Sequence, residues 1–99
     1  MSPSDFSLVV AGLRFAPALP SDAGRGLLGY ASFVVAGLVV LDSVAVRRTR
    51  EGRIVLAFPV RHDSAGRQHA LVRPVDDAAR QAITRAVVEA LQLREGPAP

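Results

Sequence analysis

The chain contains no cysteine, which excludes disulfides, thiolate metal sites and thiol catalysis and suits a reducing cytoplasm. Lysine is also missing, so all 12 basic residues are arginine. Aromatics are few: Phe6, Phe15, Phe33, Phe58 and Tyr30 make up 5% of the chain. A folded core claims most of them, which leaves little for the stacking platforms that single-strand readers use. No apolar run is long enough to cross a bilayer. Leu27 to Leu41 is 15 uncharged residues against the roughly 20 that a spanning helix needs, and Ala36-Gly37 divides it. The N-terminus carries Asp5 and no basic residue ahead of its short apolar stretch, unlike a signal peptide. The expectation is a soluble, cytoplasmic protein with no membrane partner.

What is present suits one folded domain. Ninety-nine residues, 49% hydrophobic, support a single core near the lower limit of independent stability. The expected domain is 1–99, with its core over about 6–93 and with loop 16–27 and tail 94–99 flexible. The net charge of +3 is a local excess. Arg47, Arg48, Arg50, Arg53, Arg61, Arg67 and Arg73 face only Glu51 and Asp63 between positions 47 and 73. The rest of the chain has more acids than bases. Guanidinium forks match phosphate geometry, so the cluster either contacts a polyanion or forms a solvated surface.

The hydrophobic pattern predicts strands, then one helix. Phe6–Phe15, Leu28–Val35, Leu38–Arg47, Arg53–Phe58 and Arg67–Val72 read as five strands by their β-branched and aromatic content. A Pro/Gly-rich loop follows the first strand, and Ala36-Gly37 makes a hairpin turn between the second and third. Arg48 to Gly52 is a second turn, Pro59 stops the fourth strand, and Arg61 to Gly66 is a polar loop. From Asp77 to Leu93 the apolar positions Ala79, Ile83, Ala86, Val87, Ala90 and Leu91 recur at three- and four-residue spacing, which predicts an amphipathic helix. Asp76 or Asp77 caps its start, and Gly96-Pro97 ends it. The fold class is therefore α+β: a five-stranded, mostly antiparallel sheet with one C-terminal amphipathic helix.

Gly24, Gly26 and Gly29 spell G-x-G-x-x-G, the spacing of a dinucleotide-binding loop. Such a loop needs a strand before it and a helix directly after, so that phosphate meets the helix N-terminus. Here a Pro-rich loop precedes the glycines and a strand follows, which predicts a turn and no cofactor. Catalytic groups are equally sparse. His62 and Asp63 are adjacent, which splays their side chains, and with His69 they match no metal-ligand spacing. No serine lies in a G-x-S-x-G elbow. No catalytic residue, metal site or small-molecule substrate is expected.

Nucleic-acid contact is better supported. On the fifth strand Arg67, His69 and Arg73 share one face. Arg47, Arg48 and Arg50, with Arg53 beside them, make the tip of a hairpin basic. With Arg61 and His62 these residues form a candidate phosphate-binding ridge, provided the loops lie at one end of the sheet, with contacts chiefly to phosphate. The alternative is that they protect strand edges and loop tips from aggregation.

From Gly29 to Leu91 the chain resembles the SpoVG-type septation regulators, the bacterial stage V sporulation protein G family. Tyr30-Ala31-Ser32 resembles that family's aromatic-Ala-Ser strand. Ile54 to Gly66, "IVLAFPVRHDSAG", resembles its strand, Met-Pro and basic loop, with Pro59, Arg61 and Gly66 in register. Leu71, Pro74, Arg80, Ile83, Ala86 and Val87 match its last segment and helix. The resemblance implies a homodimeric α+β regulator of septation or development that binds DNA or RNA, with Arg61 and His62 on the binding surface. Asp42-Ser43 stands where the family has His-Asp, and Ala70 to Arg73 where it has Asp-Ile-Ala-His. A homodimer also follows from the residues. Leu38 to Leu41 is apolar on both strand faces, and Leu38, Val40 and Leu41 are the candidate interface. A protein-interaction module that keeps the fold without binding nucleic acid is the competing expectation.

Overall fold

The computed structural model describes residues 10–95. In chain order it comprises β1 (Val10–Pro17), α1 (Pro20–Ala23), β2 (Leu27–Val35), β3 (Val39–Arg48), β4 (Ile54–Ala57), β5 (Val60–His62), β6 (Gln68–Ala70) and α2 (Asp77–Leu91). The first four strands form an antiparallel sheet in the order β1-β2-β3-β4, and β5 and β6 form a separate two-stranded ribbon. The α+β class holds, but the single five-stranded sheet does not. Pro59 follows directly on Phe58 and supplies no N–H for continued pairing, so the chain leaves the sheet there. It then turns back on itself, with Val60 opposite Ala70 and Arg61 opposite His69. β5 is three residues with no apolar alternation, which is why Arg61 and His62 read as part of the polar loop Arg61 to Gly66. The expected first strand began at Phe6; positions 6–9 lie outside the described residues.

β2 carries the core. Leu27, Ala31 and Phe33 are buried on one parity, while Tyr30 points the other way and is exposed. Val44 and Val46 of β3, Ile54 and Leu56 of β4 and Val87 of α2 complete the buried cluster. The helix crosses this face and contacts both outer strands, β1 and β4. The other helix, the single turn α1, contacts β2.

A bulge explains the doubly apolar Leu38–Leu41 run. Ala31 pairs with Val44 and Phe33 with Leu41, so Asp42 and Ser43 together oppose Ser32, and Ser43 takes a positive φ of 59°. One extra residue reverses strand parity, which lets both Leu41 and Val44 face the helix. Leu41 packs against the core cluster, so the exposed apolar run is Leu38, Val39 and Val40. At the hairpin tip Ala36 and Gly37 both have positive φ, 55° and 68°, and Leu38 N–H donates to Val35 O at 3.0 Å. That positive-φ pair is what a short hairpin connection requires.

Asp76, not Asp77, caps α2, its carboxylate accepting from Ala79 N–H at 2.8 Å. The helix stops at Leu91, well before Gly96. Gln92 adopts the left-handed conformation (φ 55°), and Leu93 N–H reaches back to Val88 O at 3.0 Å. This closure satisfies the final carbonyls and turns Leu93 onto the core. Two segments expected to be flexible make hydrogen bonds to the sheet. Within 16–27, α1 forms one turn behind Pro20, Ala18 N–H donates to Leu28 O at 3.0 Å, and Gly26 O accepts from Arg48 N–H at 2.7 Å. Of the tail, Arg94 O accepts from the Arg48 guanidinium at 2.6 Å and the Glu95 carboxylate from Ile54 N–H at 2.7 Å; positions 96–99 lie outside the described residues.

Candidate nucleic-acid interface

The β3–β4 turn is fixed by its own backbone. Thr49 N–H donates to Arg53 O at 2.8 Å, Gly52 N–H to Thr49 O at 3.0 Å, and Arg53 N–H to the Thr49 hydroxyl at 3.1 Å. Arg50 and Glu51 are left at the exposed tip. The turn lies beside the segment that enters β2, because Arg48 N–H is bonded to Gly26 O. Arg25 and Arg94, which are remote in sequence, therefore join Arg47, Arg48, Arg50 and Arg53 at one end of the sheet. The Arg47 guanidinium donates to Arg25 O at 3.1 Å and the Arg48 guanidinium to Arg94 O at 2.6 Å. Charge clustering along the sequence misses Arg25 and Arg94, since 22 and 46 residues separate each of them from its partner. The only sequence signal for Arg25 is its place inside the glycine-spaced loop. A recess of about 460 Å³ between the two segments is lined by Gly24, Arg25, Gly26, Arg48, Thr49 and Arg50.

This geometry explains the glycines. Gly26 has a φ of +92°, and a Cβ there would stand 2.6 Å from Arg48 O. A Cβ at Gly29 would run into Ala16 O and the Phe15 ring. The two positions allow close backbone approach of neighbouring strands, and the element that follows is β2, not a helix.

Two of the six guanidinium groups at this end are committed to carbonyls, those of Arg47 and Arg48. The side chains of Arg25, Arg50, Arg53 and Arg94 have no partner among the described residues, and no ion pair forms at this end among them. Arg47 and Arg48, adjacent in β3, direct their side chains to opposite faces of the sheet.

The remaining candidates sit elsewhere. Arg61, His62, Arg67, His69 and Arg73 belong to the ribbon and its flanks, so the nine candidates split into two groups and do not form one ridge. β6 spans only Gln68–Ala70, which places Arg67 in the preceding turn and Arg73 beyond the strand. Arg73 therefore lies off the strand, whereas Arg67 Nε and His69 Nε2 both reach the same Asp63 oxygen. Asp63 organises the ribbon turn. Its carboxylate accepts from Ala65 and Arg67 N–H at 2.9 Å each, and pairs with Arg67 Nε at 2.9 Å and His69 Nε2 at 2.8 Å. The His69 hydrogen bond, followed by the Arg67 backbone N–H, holds the Asp63 carboxyl below its ordinary value of 3.8. Arg67 and His69 are thus partly neutralised by one acid. Arg61 shares a ribbon face with His69, whereas His62 lies on the other face opposite Gln68.

Among the described residues no three His, Cys, Asp or Glu side chains converge as metal ligands. A groove of about 410 Å³ between β4 and α2 is lined by Arg53, Arg80, Thr84, Arg85, Glu89 and Glu95, among others, with no histidine or serine. The Arg80 guanidinium lies 5.7 Å from the centre of the Phe58 ring. No helix among the described residues is long and apolar enough to cross a membrane. No protein-family model, curated protein or solved structure matches the chain.

Proposed function

We propose that this protein binds nucleic acid without catalysing a reaction, as a cytoplasmic homodimer, through the basic end of its four-stranded sheet. The observation that supports this reading is the gathering of Arg25, Arg50, Arg53 and Arg94 on one rim, their guanidinium groups without protein partners among the described residues. Such groups offer forked donors to phosphate and release counterions from the polyanion when they bind. Arg47 and Arg48 stiffen the rim through their carbonyl contacts. A regulatory role of the septation kind rests on the resemblance to the SpoVG-type family. Replacing Arg50 and Arg53 with alanine should weaken binding to random DNA and RNA oligonucleotides, read by fluorescence anisotropy, with unchanged circular dichroism. Unaltered affinity would exclude the rim.

The dimer is proposed to form through the β2–β3 tip, where Leu38 is 86% exposed and Val39 and Val40 are each 55% exposed. These three consecutive apolar residues lie at the end of the sheet opposite the arginines, so pairing there leaves both rims open. Sedimentation should show a dimer at micromolar concentration, and Leu38→Ser with Val40→Ser should convert it to monomer. A monomeric wild type would rule the interface out. A second reading, a module that docks another protein, is favoured by Leu71 and Val75 beside the ribbon, 60% and 91% exposed. Retained fold with no affinity for either nucleic acid would select it.

A further inference from the structure

We infer that the sheet face opposite the helix is a stacking site for a base of single-stranded nucleic acid, with Tyr30 as the platform. The inference rests on the polyanion reading above and specifies the class of strand that the protein takes.

Register carries the argument. Tyr30, 46% exposed, projects from an inner strand and pairs directly with Ala16 on β1 and Ala45 on β3; Ala45 in turn pairs with Ala57 on β4. Directly paired residues share a face. The row across the sheet therefore reads Ala16, Tyr30, Ala45, Ala57: one tall ring with methyl groups on either side. Nothing in that row stands high enough to shield the ring, and a flat ligand can lie on it over an alanine floor. A recess of about 270 Å³ opens beside the ring, lined by Arg14, Ala16, Tyr30, Ser32 and Ser43.

Charge fences the ring. Arg14 lies two residues before Ala16 on β1, level with Ser32, and Arg47 lies two residues after Ala45 on β3, level with Val55. Both are on the face of Tyr30 and diagonal to it on opposite sides. At about 3.3 Å per residue and about 4.8 Å per strand, their Cα atoms stand about 16 Å apart. A backbone crossing obliquely from Arg14 past Tyr30 to Arg47 then reaches the basic rim, because the Arg47 guanidinium bonds Arg25 O. The one acid in the four strands is Asp42, in the bulge opposite Ser32. Duplex bases are stacked on each other and are not available to the ring, so this arrangement favours unpaired strands.

The chain offers its own probe, because Tyr30 is the only tyrosine and there is no tryptophan. The test titrates the full chain with oligothymidylate of about twelve nucleotides, within the range of single-strand site sizes, and with a duplex of equal length. Tyrosine fluorescence is corrected for absorption by the oligonucleotide, and affinity is read by anisotropy. The single strand should quench Tyr30 and the duplex should not. Tyr30→Ala should weaken single-strand binding about five-fold or more, leaving the duplex affinity and the salt slope unchanged, while Tyr30→Phe keeps single-strand affinity. Arg14→Ala should weaken single-strand binding without abolishing quenching by saturating oligonucleotide. Binding without quenching, equal quenching by duplex, or full affinity in Tyr30→Ala would overturn the stacking site while the basic rim stands. Failure of the wild type to bind either oligonucleotide would overturn both.

Discussion

The rim makes a quantitative commitment about salt. If each of Arg25, Arg50, Arg53 and Arg94 meets one phosphate of a single strand, log affinity falls against log salt with a slope of about −2.8, at about 0.7 per contact. Raising salt from about 50 to about 200 mM then weakens binding about fifty-fold. Arg50→Ala with Arg53→Ala removes two contacts, so the slope becomes about −1.4 and the same step costs about seven-fold. Arg48→Ala is the control with the opposite signature. Its guanidinium is bonded to Arg94 O at 2.6 Å, and losing that charge-assisted bond at an exposed site costs about 1 kcal/mol. For a domain of this size that lowers the melting midpoint by about 4–8 °C, with the slope preserved as long as Arg94 stays docked. Anisotropy at five or six salt concentrations, with melting curves for each variant, separates the two effects. A double variant whose slope equals that of the wild type would refute the reasoning, since the charges would then be touching nothing.

Val87 is the helix residue with no exposed surface, whereas Val75 is 91% exposed. Val87→Ala should cost about 2 kcal/mol through lost burial and an unfilled cavity, and Val75→Ala less than about 0.5 kcal/mol; equal melting curves would contradict the packing described. The ribbon turn has a pH signature. Because the Asp63 carboxyl is held below its ordinary value of 3.8, its contribution is complete above that value and is lost as pH falls through the lowered one. Amide shifts of Ala65 and Arg67, which donate to that carboxylate, should report a midpoint below 3.8. A midpoint at or above it would refute the assignment.

Local chemistry was legible wherever one segment decided its own conformation. The Ala36-Gly37 hairpin turn, a cap at Asp76 or Asp77, the three- and four-residue spacing of α2 and the strand character of β2 are each short-range effects. The structure bears them out to within a residue or two. The end of α2 was not legible, because Gln92 closes it by adopting a left-handed turn that lets Leu93 reach the core. Propensity would have assigned that role to Gly96. The bulge at Ser43 was equally hidden: the sequence shows an apolar run on both parities, but only pairing with β2 decides where parity reverses.

The candidate site divides along the same line. The sequence by itself determined that the chain is arginine-rich between 47 and 73, lacks thiols, and folds as strands followed by one amphipathic helix, because composition and periodicity are properties of the chain alone. Only the tertiary structure decided which charges are committed. Arg25 and Arg94 reach the rim through hydrogen bonds across 22 and 46 residues, and Asp63 claims Arg67 and His69. Tyr30, which composition would have consigned to the core, faces outward because its neighbours Ala31 and Gly29 are the ones buried. Those outcomes follow from strand register, and register is fixed by pairing partners that no single segment contains.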